Sequence, residues 1–306
     1  MNSVEQKLLE KIADLHKVPS GAFNLRKNGQ AEMRNSTKDI EIIPKKNKSG
    51  IDIIIKPNVK NKSVHIPVII TIGGLHDLVY NDFYIGHDSD VVIVAGCGIH
   101  NKTCKTSQHD GIHTFHIEKN ARVKYIEKHV GEGNPDGKKI LNPVTKILMK
   151  ENSFMEMETL QLEGVTSTIR KTNAKLYDGA TLHIQENILT TDSQTAKTIF
   201  KVDLIGKDSS VEVTSHSVAK DNSYQEFKSE LVGKNQCFGH VECDGIILDN
   251  ARIVSTPMID AVDSNASLVH EAAIGKIAGD ELIKLMTLGL SQSEAENMII
   301  QGFLLG

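Results

Sequence analysis

The chain has no tryptophan, and aromatic residues fill only 4% of its 306 positions. A core of the size this length permits must then be built from Ile, Leu, Val and Met, stock that suits layered strands. Cysteine is scarce, with Cys97, Cys104, Cys237 and Cys243 as the full set. Residues 1–15 contain no uninterrupted apolar stretch, so no secretory leader is read there. No run approaches the roughly 20 apolar residues that span a bilayer. A cytoplasmic protein with reduced thiols and no membrane partner is expected. A dominant charge sign is also missing. The formal net charge is −4 with 24% charged residues, which argues against a nucleic-acid partner bound through a basic face. Scattered basic patches read as solvated faces.

Nucleotide and hydrolase signatures are absent too. No G-x-x-x-x-G-K-[ST] occurs, and "GEGNPDGKK" has the wrong spacing and lacks the Ser/Thr. No G-x-S-x-G elbow is present. The chain is expected to bind no nucleotide itself and to have no ATPase motif.

What is present is strand pattern. Residues 3–15 read as a helix: Ser3 and Gln6 match a capping box, Leu8, Leu9, Ile12 and Leu15 recur at helical spacing, and Pro19 and Gly21 stop it. "KKNKSG" reads as a turn or loop. From Ile51 to Glu271 short apolar runs such as "VHIPVIITIGG" and "SSVEVTSHSVA" alternate with turns, and no helix long enough for a βαβ crossover intervenes. A corner unit recurs: a turn residue, a small residue, any residue, an aliphatic. It appears at Asn120-Ala121-Arg122-Val123, Asn173-Ala174-Lys175-Leu176, Gly179-Ala180-Thr181-Leu182, Asn250-Ala251-Arg252-Ile253 and Asn265-Ala266-Ser267-Leu268, with a degenerate copy at Ser209-Ser210-Val211. Asn and Gly tolerate the left-handed backbone of a sharp corner. Such corners suit a β-solenoid, with a β-sandwich the alternative. After Glu271 the period becomes helical. "GDELIKLMTLG" ends at a Gly289 cap, and "SQSEAENMIIQGF" carries a second capping box, Ser291 with Glu294. Ala295, Met298, Ile299 and Phe303 would line one face of this last helix, covering the open end of the sheet or docking a partner. The expected division is 1–50 as helix and linker, 51–271 as β-helix core and 272–306 as a C-terminal helical segment.

Two groups of soft ligands stand out. "AGCGIHNKTCKTSQHDGIHTFHIEKN" holds Cys97, His100, Cys104, His109, His113 and His116, types that suit zinc or iron. The spacing is not that of a zinc knuckle, and strand alternation sets His113 and His116 on opposite faces. A free cysteine is also often a small buried residue. The second group is Cys237, His240 and Cys243 in "NQCFGHVECDG", followed by His270 and Glu271 in "SLVHEAAIGK". In a solenoid, residues a coil apart stack, so Cys243 and His270 can lie on neighbouring rungs. Alternation sends His270 and Glu271 to opposite faces unless a bulge intervenes. A zinc-binding structural solenoid and a carbohydrate-active β-helix, the latter using Glu156 and Glu158 on one strand face, are the competing readings.

The stretch "CDGIILDNARIVSTPMIDAVDSNASLVHEAAIGKIAGDELIKLMTLGLSQSEAENMIIQGF" resembles the C-terminal core of the SufB/SufD scaffold family of iron–sulfur cluster assembly. Upstream, "AGCGIHN" through "EKHVGEG" is similar to a short, single-subunit form of that family. The resemblance implies a right-handed parallel β-helix with helical ends. It implies a SufC-type ATPase docked on the C-terminal helices, a sulfur donor, apo-protein acceptors and a transient iron–sulfur cluster. It implies that Cys243 matches the assembly cysteine and that His270 and Glu271 match a ligand pair, with His240, Cys237, Cys97 and Cys104 as secondary candidates. With no second scaffold chain in view, a homodimer is expected. A weak thiolate–imidazole–carboxylate site suits a cargo that must leave.

Overall fold

A computed structural model of the chain describes residues 3–16 and 19–305. An N-terminal helix, α1 (Ser3–Ala13), precedes strands β1 (Ala22–Lys27), β2 (Gln30–Asn35), β3 (Ile40–Pro44), β4 (Gly50–Ile55) and β5 (Lys60–Ile70). There follow β6 (His76–Ile85), β7 (Asp90–Asn101), β8 (Ser107–Ile117), β9 (Arg122–Gly133), β10 (Lys139–Leu141), β11 (Val144–Met149), β12 (Phe154–Glu163) and β13 (Ser167–Leu176). The last coils are β14 (Thr181–Thr190), β15 (Thr195–Leu204), β16 (Ser209–Ala219), β17 (Tyr224–Gly233), β18 (Cys237–Ile247), β19 (Arg252–Ala261) and β20 (Ala266–Gly275), then helices α2 (Gly279–Thr287) and α3 (Gln292–Leu305).

The strands alternate between two long sheets. The first runs β2-β1-β5-β7-β9-β12-β14-β16-β18-β20, and the second β19-β17-β15-β13-β10-β8-β6-β4-β3, with β11 continuing the rung of β10 between β8 and β13. Apart from the antiparallel pairs β1/β2 and β3/β4 at the N-terminal end, every pairing among the described residues is parallel. The molecule is thus a β-solenoid of about eight turns, as the corner pattern and the resemblance both lead one to expect. Strands β1 to β3 lie within the segment read as linker. "KKNKSG" is the turn joining β3 to β4.

The corners depend on left-handed residues more regularly than the sequence pattern indicates. Asn58, Asp88, Asn120, Asn152, Gly179 and Asp208 all have positive φ, between 55° and 63°, where a strand of the first sheet is about to begin. Each is followed by a small or branched residue that turns inward: Val59, Ser89, Ala121, Ser153, Ala180 and Ser209 are all buried. Consecutive corners are tied by backbone bonds, Asn58 N to His87 O, Asp88 N to Lys119 O and Asn120 N to Glu151 O. Asp192, Asp221 and Asp249 form a second such series at the opposite corner. Four expected copies of the unit are corrected. Asn173 lies inside β13, the left-handed residue is Asp208 in the Ser209 copy and Asp249 in the Asn250 copy, and Asn265 does not have a positive φ. Asp tolerates this backbone as Asn does, so a search for Asn and Gly alone misses five of these nine corners.

The helices take other places than expected. Helix α1 ends at Ala13, and the next residue, Asp14, has φ 53°, ahead of Pro19. It lies on the outer face of β7 and β9, with Leu8, Leu9, Ile12 and Ala13 buried against Val94 and Val130. Gly96 and Gly98 make room for it: a Cβ on Gly96 would sit 2.2 Å from the Ile12 carbonyl. Helix α3 begins with the expected capping box, the Ser291 N–H donating to Glu294 (2.8 Å) and the Glu294 N–H to Ser291 Oγ (3.3 Å). Its buried face is Ala295, Ile300 and Leu304, whereas Met298 is exposed. It packs on the outer face of β14 and β16 and does not cover the solenoid end. Helix α2 has no buried residue. No helix among the described residues is long and apolar enough to cross a membrane.

Candidate functional site

Strand register divides the lumen into two halves. One half is apolar: Ile93, Tyr125, Met157, Ile184, Val213 and Val241 stack rung on rung along the first sheet. The next inward column reads Ala95, Glu127, Thr159, Glu186, Ser215, Cys243 and Ala272. It is polar for most of its length and leads to the candidate thiol. Facing it, β13 contributes Arg170, only 1% exposed. This corrects the reading of basic patches as solvated: within "STIRK" alternation turns Arg170 inward and Lys171 outward.

Arg170 bridges the column. Its guanidinium donates to Glu127 and approaches Glu186 at 3.3 Å, with His129 Nδ1 at 3.3 Å. Burial alone would raise the Glu127 carboxyl, but Arg170 holds it well below the usual carboxylate range. Glu186 moves the other way: burial raises it, and Arg170, Thr198 and Ser215 offset only part of that. Ser215 Oγ lies 3.3 Å from Glu186, and Ser215 is the register neighbour of Cys243. A relay of smaller groups extends toward the N-terminal end. Tyr125 donates to Glu127 (3.1 Å), His113 Nδ1 meets Tyr125 (2.8 Å), and His109 meets Asp77 (3.1 Å), itself paired with Arg26. A small cavity of about 20 Å³ is bounded by Cys97, His109, His113, Glu127 and His129.

At the other end of the lumen, Cys243 is fully buried on the inner face of β18. Burial pushes its thiol up to about 11, and the nearby Ser255 hydroxyl counters that in part. His270 sits on the inner face of β20, beside Val241, with Ala272 beside Cys243. Cys243 and His270 are thus diagonal neighbours on adjacent strands. Strands about 4.8 Å apart and a two-residue offset put their Cα atoms roughly 8 Å apart, a span that two ligands of one ion can close. Burial, then His240, lowers the His270 imidazole and favours its neutral form. Its Nδ1 lies 3.2 Å from Ser229 Oγ on β17. Its Nε2 is buried without a hydrogen-bond partner. A thiol, a neutral imidazole with an idle nitrogen and small Ala272 over the thiol fit a metal-bearing ligand that enters from the last coil.

Glu271 points the opposite way. It is 67% exposed on the outer face, 3.8 Å from His240 and in register with Glu242. Of the other candidates, Cys237 is buried in the lumen at the far end of β18, and Cys104 is exposed, with Asn134 donating to its sulfur at 3.7 Å. Cys97 is buried on the inner face of β7, its thiol pushed far up by burial and by Asp77 and Glu127.

The zinc reading does not survive this placement. Cys97, His109 and His113 turn inward, while His100 pairs with Glu132 and His116 stacks on Tyr84 outside. Among the described residues, no group of three or more His, Cys, Asp or Glu is arranged to hold a metal ion. The carbohydrate reading fails at its acid pair. Glu156 and Glu158 sit on the outer face, both bound to Lys124 at 2.9 and 2.5 Å. Sequence reasoning missed Glu127, Arg170, Glu186 and Ser229. Their signal was present only as charged or polar residues in phase with the apolar ones.

A family model described as the SUF system FeS cluster assembly SufBD core domain matches residues 88–303. The chain belongs to the SufBD family. Among its relatives, an iron–sulfur cluster assembly SufBD family protein of Methanothermobacter thermautotrophicus is 28% identical over 220 residues, which cover 71% of this chain and 52% of that one. A SufBD family protein of Methanocaldococcus jannaschii is 26% identical over 257 residues, 82% of this chain and 79% of that one. One from Pyrococcus horikoshii is 40% identical over 91 residues, 29% of this chain and 20% of that one. The chain thus spans about half the length of the first of these SufBD relatives. The matched region runs from β7 through α3 and contains the whole polar column from Ala95 to Ala272.

Proposed function

We propose that this SufBD protein is a scaffold on which an iron–sulfur cluster is built and from which it is passed to apo-proteins. The observation that carries the reading is the meeting of Cys243 and His270 on one inner face, with His270 Nε2 unpartnered. The cluster is cargo. Two ligands from one chain make an incomplete set, which suits a cargo that must leave. Glu271, on the outer face, reaches the same metal only through a bulge in β20 or by serving a second copy.

A homodimer supplies that second copy. Strands β19 and β20 end their sheets and expose Met258, Ile259, Val262, Val269 and Ile274 along or beside these edges, apolar surface of the kind that open solenoid ends bury. A SufC-type ATPase is the second partner, docked on α2 and its C-cap, where Ile283, Met286 and Leu288 are exposed. Its ATP cycle supplies the motion that opens the buried thiol, since this chain has no nucleotide motif of its own. A sulfur donor and the apo-protein acceptors complete the set, in the cytoplasm.

The test is anaerobic reconstitution of the full chain with the ATPase, ferrous iron and sulfide. Sulfur-to-iron charge-transfer absorption should develop in the visible range. Cys243→Ser loading as much cluster as the unaltered chain would remove the assignment.

A further inference from the structure

Ser229 lies on the inner face of β17, 3% exposed, across the lumen from β20. Its register neighbours, Phe200 and Pro257, offer no polar side chain. The hydroxyl reaches His270 Nδ1 at 3.2 Å, and the far nitrogen of that ring, Nε2, is buried with no partner. A neutral imidazole has one N–H donor and one bare acceptor nitrogen, so the Ser229 contact decides which nitrogen is bare. Were the hydroxyl to donate to Nδ1, the ring proton would sit on Nε2 as an orphaned buried donor, the rarer defect in folded proteins. With Nδ1–H donating to Ser229 Oγ, Nε2 carries only a lone pair. That is the form in which histidine ligates metal, its other N–H held by an outer partner.

We propose that Ser229 is a positioning residue for the cargo site: it fixes the His270 tautomer and ring orientation so that the Nε2 lone pair is presented to the metal beside Cys243. The inference rests on the reading of Cys243 and His270 as the cargo ligands, and goes beyond it in assigning the opposite sheet a part in the site. Sheet one supplies the ligands, and sheet two sets the tautomer of one of them. The distance across the lumen at this rung therefore controls metal affinity, and any partner that changes it changes the grip on cargo.

The test uses the full chain labelled with 15N and Co2+ as the probe, under anaerobic conditions. Long-range 1H–15N correlation of the metal-free protein should show His270 with its proton on Nδ1. Ser229→Ala should shift the ring toward the Nε2–H form and weaken Co2+ binding by about 10- to 100-fold, and Ser229→Thr, which keeps the hydroxyl, should restore both. An Nε2–H tautomer in the unaltered chain, or Co2+ affinity and tautomer both unchanged in Ser229→Ala, overturns the proposal. Cys243→Ser and His270→Ala separate the two levels. If neither weakens Co2+ binding, the cargo-site reading itself falls. If both weaken it while Ser229→Ala does not, only the role of Ser229 is lost.

Discussion

His113 lies wholly inside the solenoid, its Nδ1 2.8 Å from the Tyr125 hydroxyl, and burial pushes its pKa down to about 4. His129, under Arg170, is lowered by burial as well. In the unfolded chain a histidine binds its proton near pH 6.5. Between that pH and about 4 the unfolded state therefore holds the proton that folded His113 refuses, and stability falls as pH falls. The loss from His113 should be about 2 kcal/mol by pH 5. Denaturant unfolding at pH 7 and pH 5 measures it. His113→Gln should lose markedly less stability over that interval, and an undiminished loss would contradict the burial account. Asp77 acts in a lower window: Arg26 and His109 hold its carboxyl below the usual range despite burial, so its contribution disappears only in stronger acid. At this scale the sequence was half legible. Strand alternation alone put His270 and Glu271 on opposite faces; the register of β20 on β18 shows that His270 is the inward one. It did not reveal Arg170, because a charged residue in phase with apolar ones reads as a strand ambiguity until a partner such as Glu127 is known to face it, 43 positions away in the chain.

At the level of elements, the corner residues and the close approaches make the fold. The repeat was visible at Asn120 and Gly179, was met one residue late at Asp208 and Asp249, and was hidden at Asp88, Asp192 and Asp221 and where a bulkier or polar residue follows the corner, as after Asn58 and Asn152. The placement of α1 was hidden for another reason. Its apolar stripe identified a helix, but the surface that receives it is recorded as an absence, the missing side chains of Gly96 and Gly98. Gly96→Val should therefore push α1 off β7, with a cost of about 1–3 kcal/mol. Limited proteolysis should then cut within residues 3–16 of the variant much faster than in the unaltered chain, and equal protection would show that α1 is not seated by that contact. For α3 the capping box located the start correctly. The buried face differs from the expected one because α3 packs sideways onto β14 and β16, whose outer residues select Ala295, Ile300 and Leu304.

For the whole molecule, the polar column and the exposed edge point to the same end. Glu127, Arg170 and Glu186 stand behind Cys243, and β19, β20 and α2 leave apolar surface open around the last coils. If α2 docks the ATPase, Ile283→Glu should weaken that complex tenfold or more in a titration while leaving the melting temperature unchanged, since Ile283 is 59% exposed. Retained affinity would move the docking surface elsewhere. The central claim is narrower: the thiol at 243, buried in the lumen next to a histidine with an idle nitrogen, is where the cluster is held. The most direct measurement is iron and sulfide bound per chain after anaerobic reconstitution, for the unaltered protein and for Cys243→Ser. The account predicts cluster on the former and a small residue of it on the latter, and equal loading of the two would contradict it.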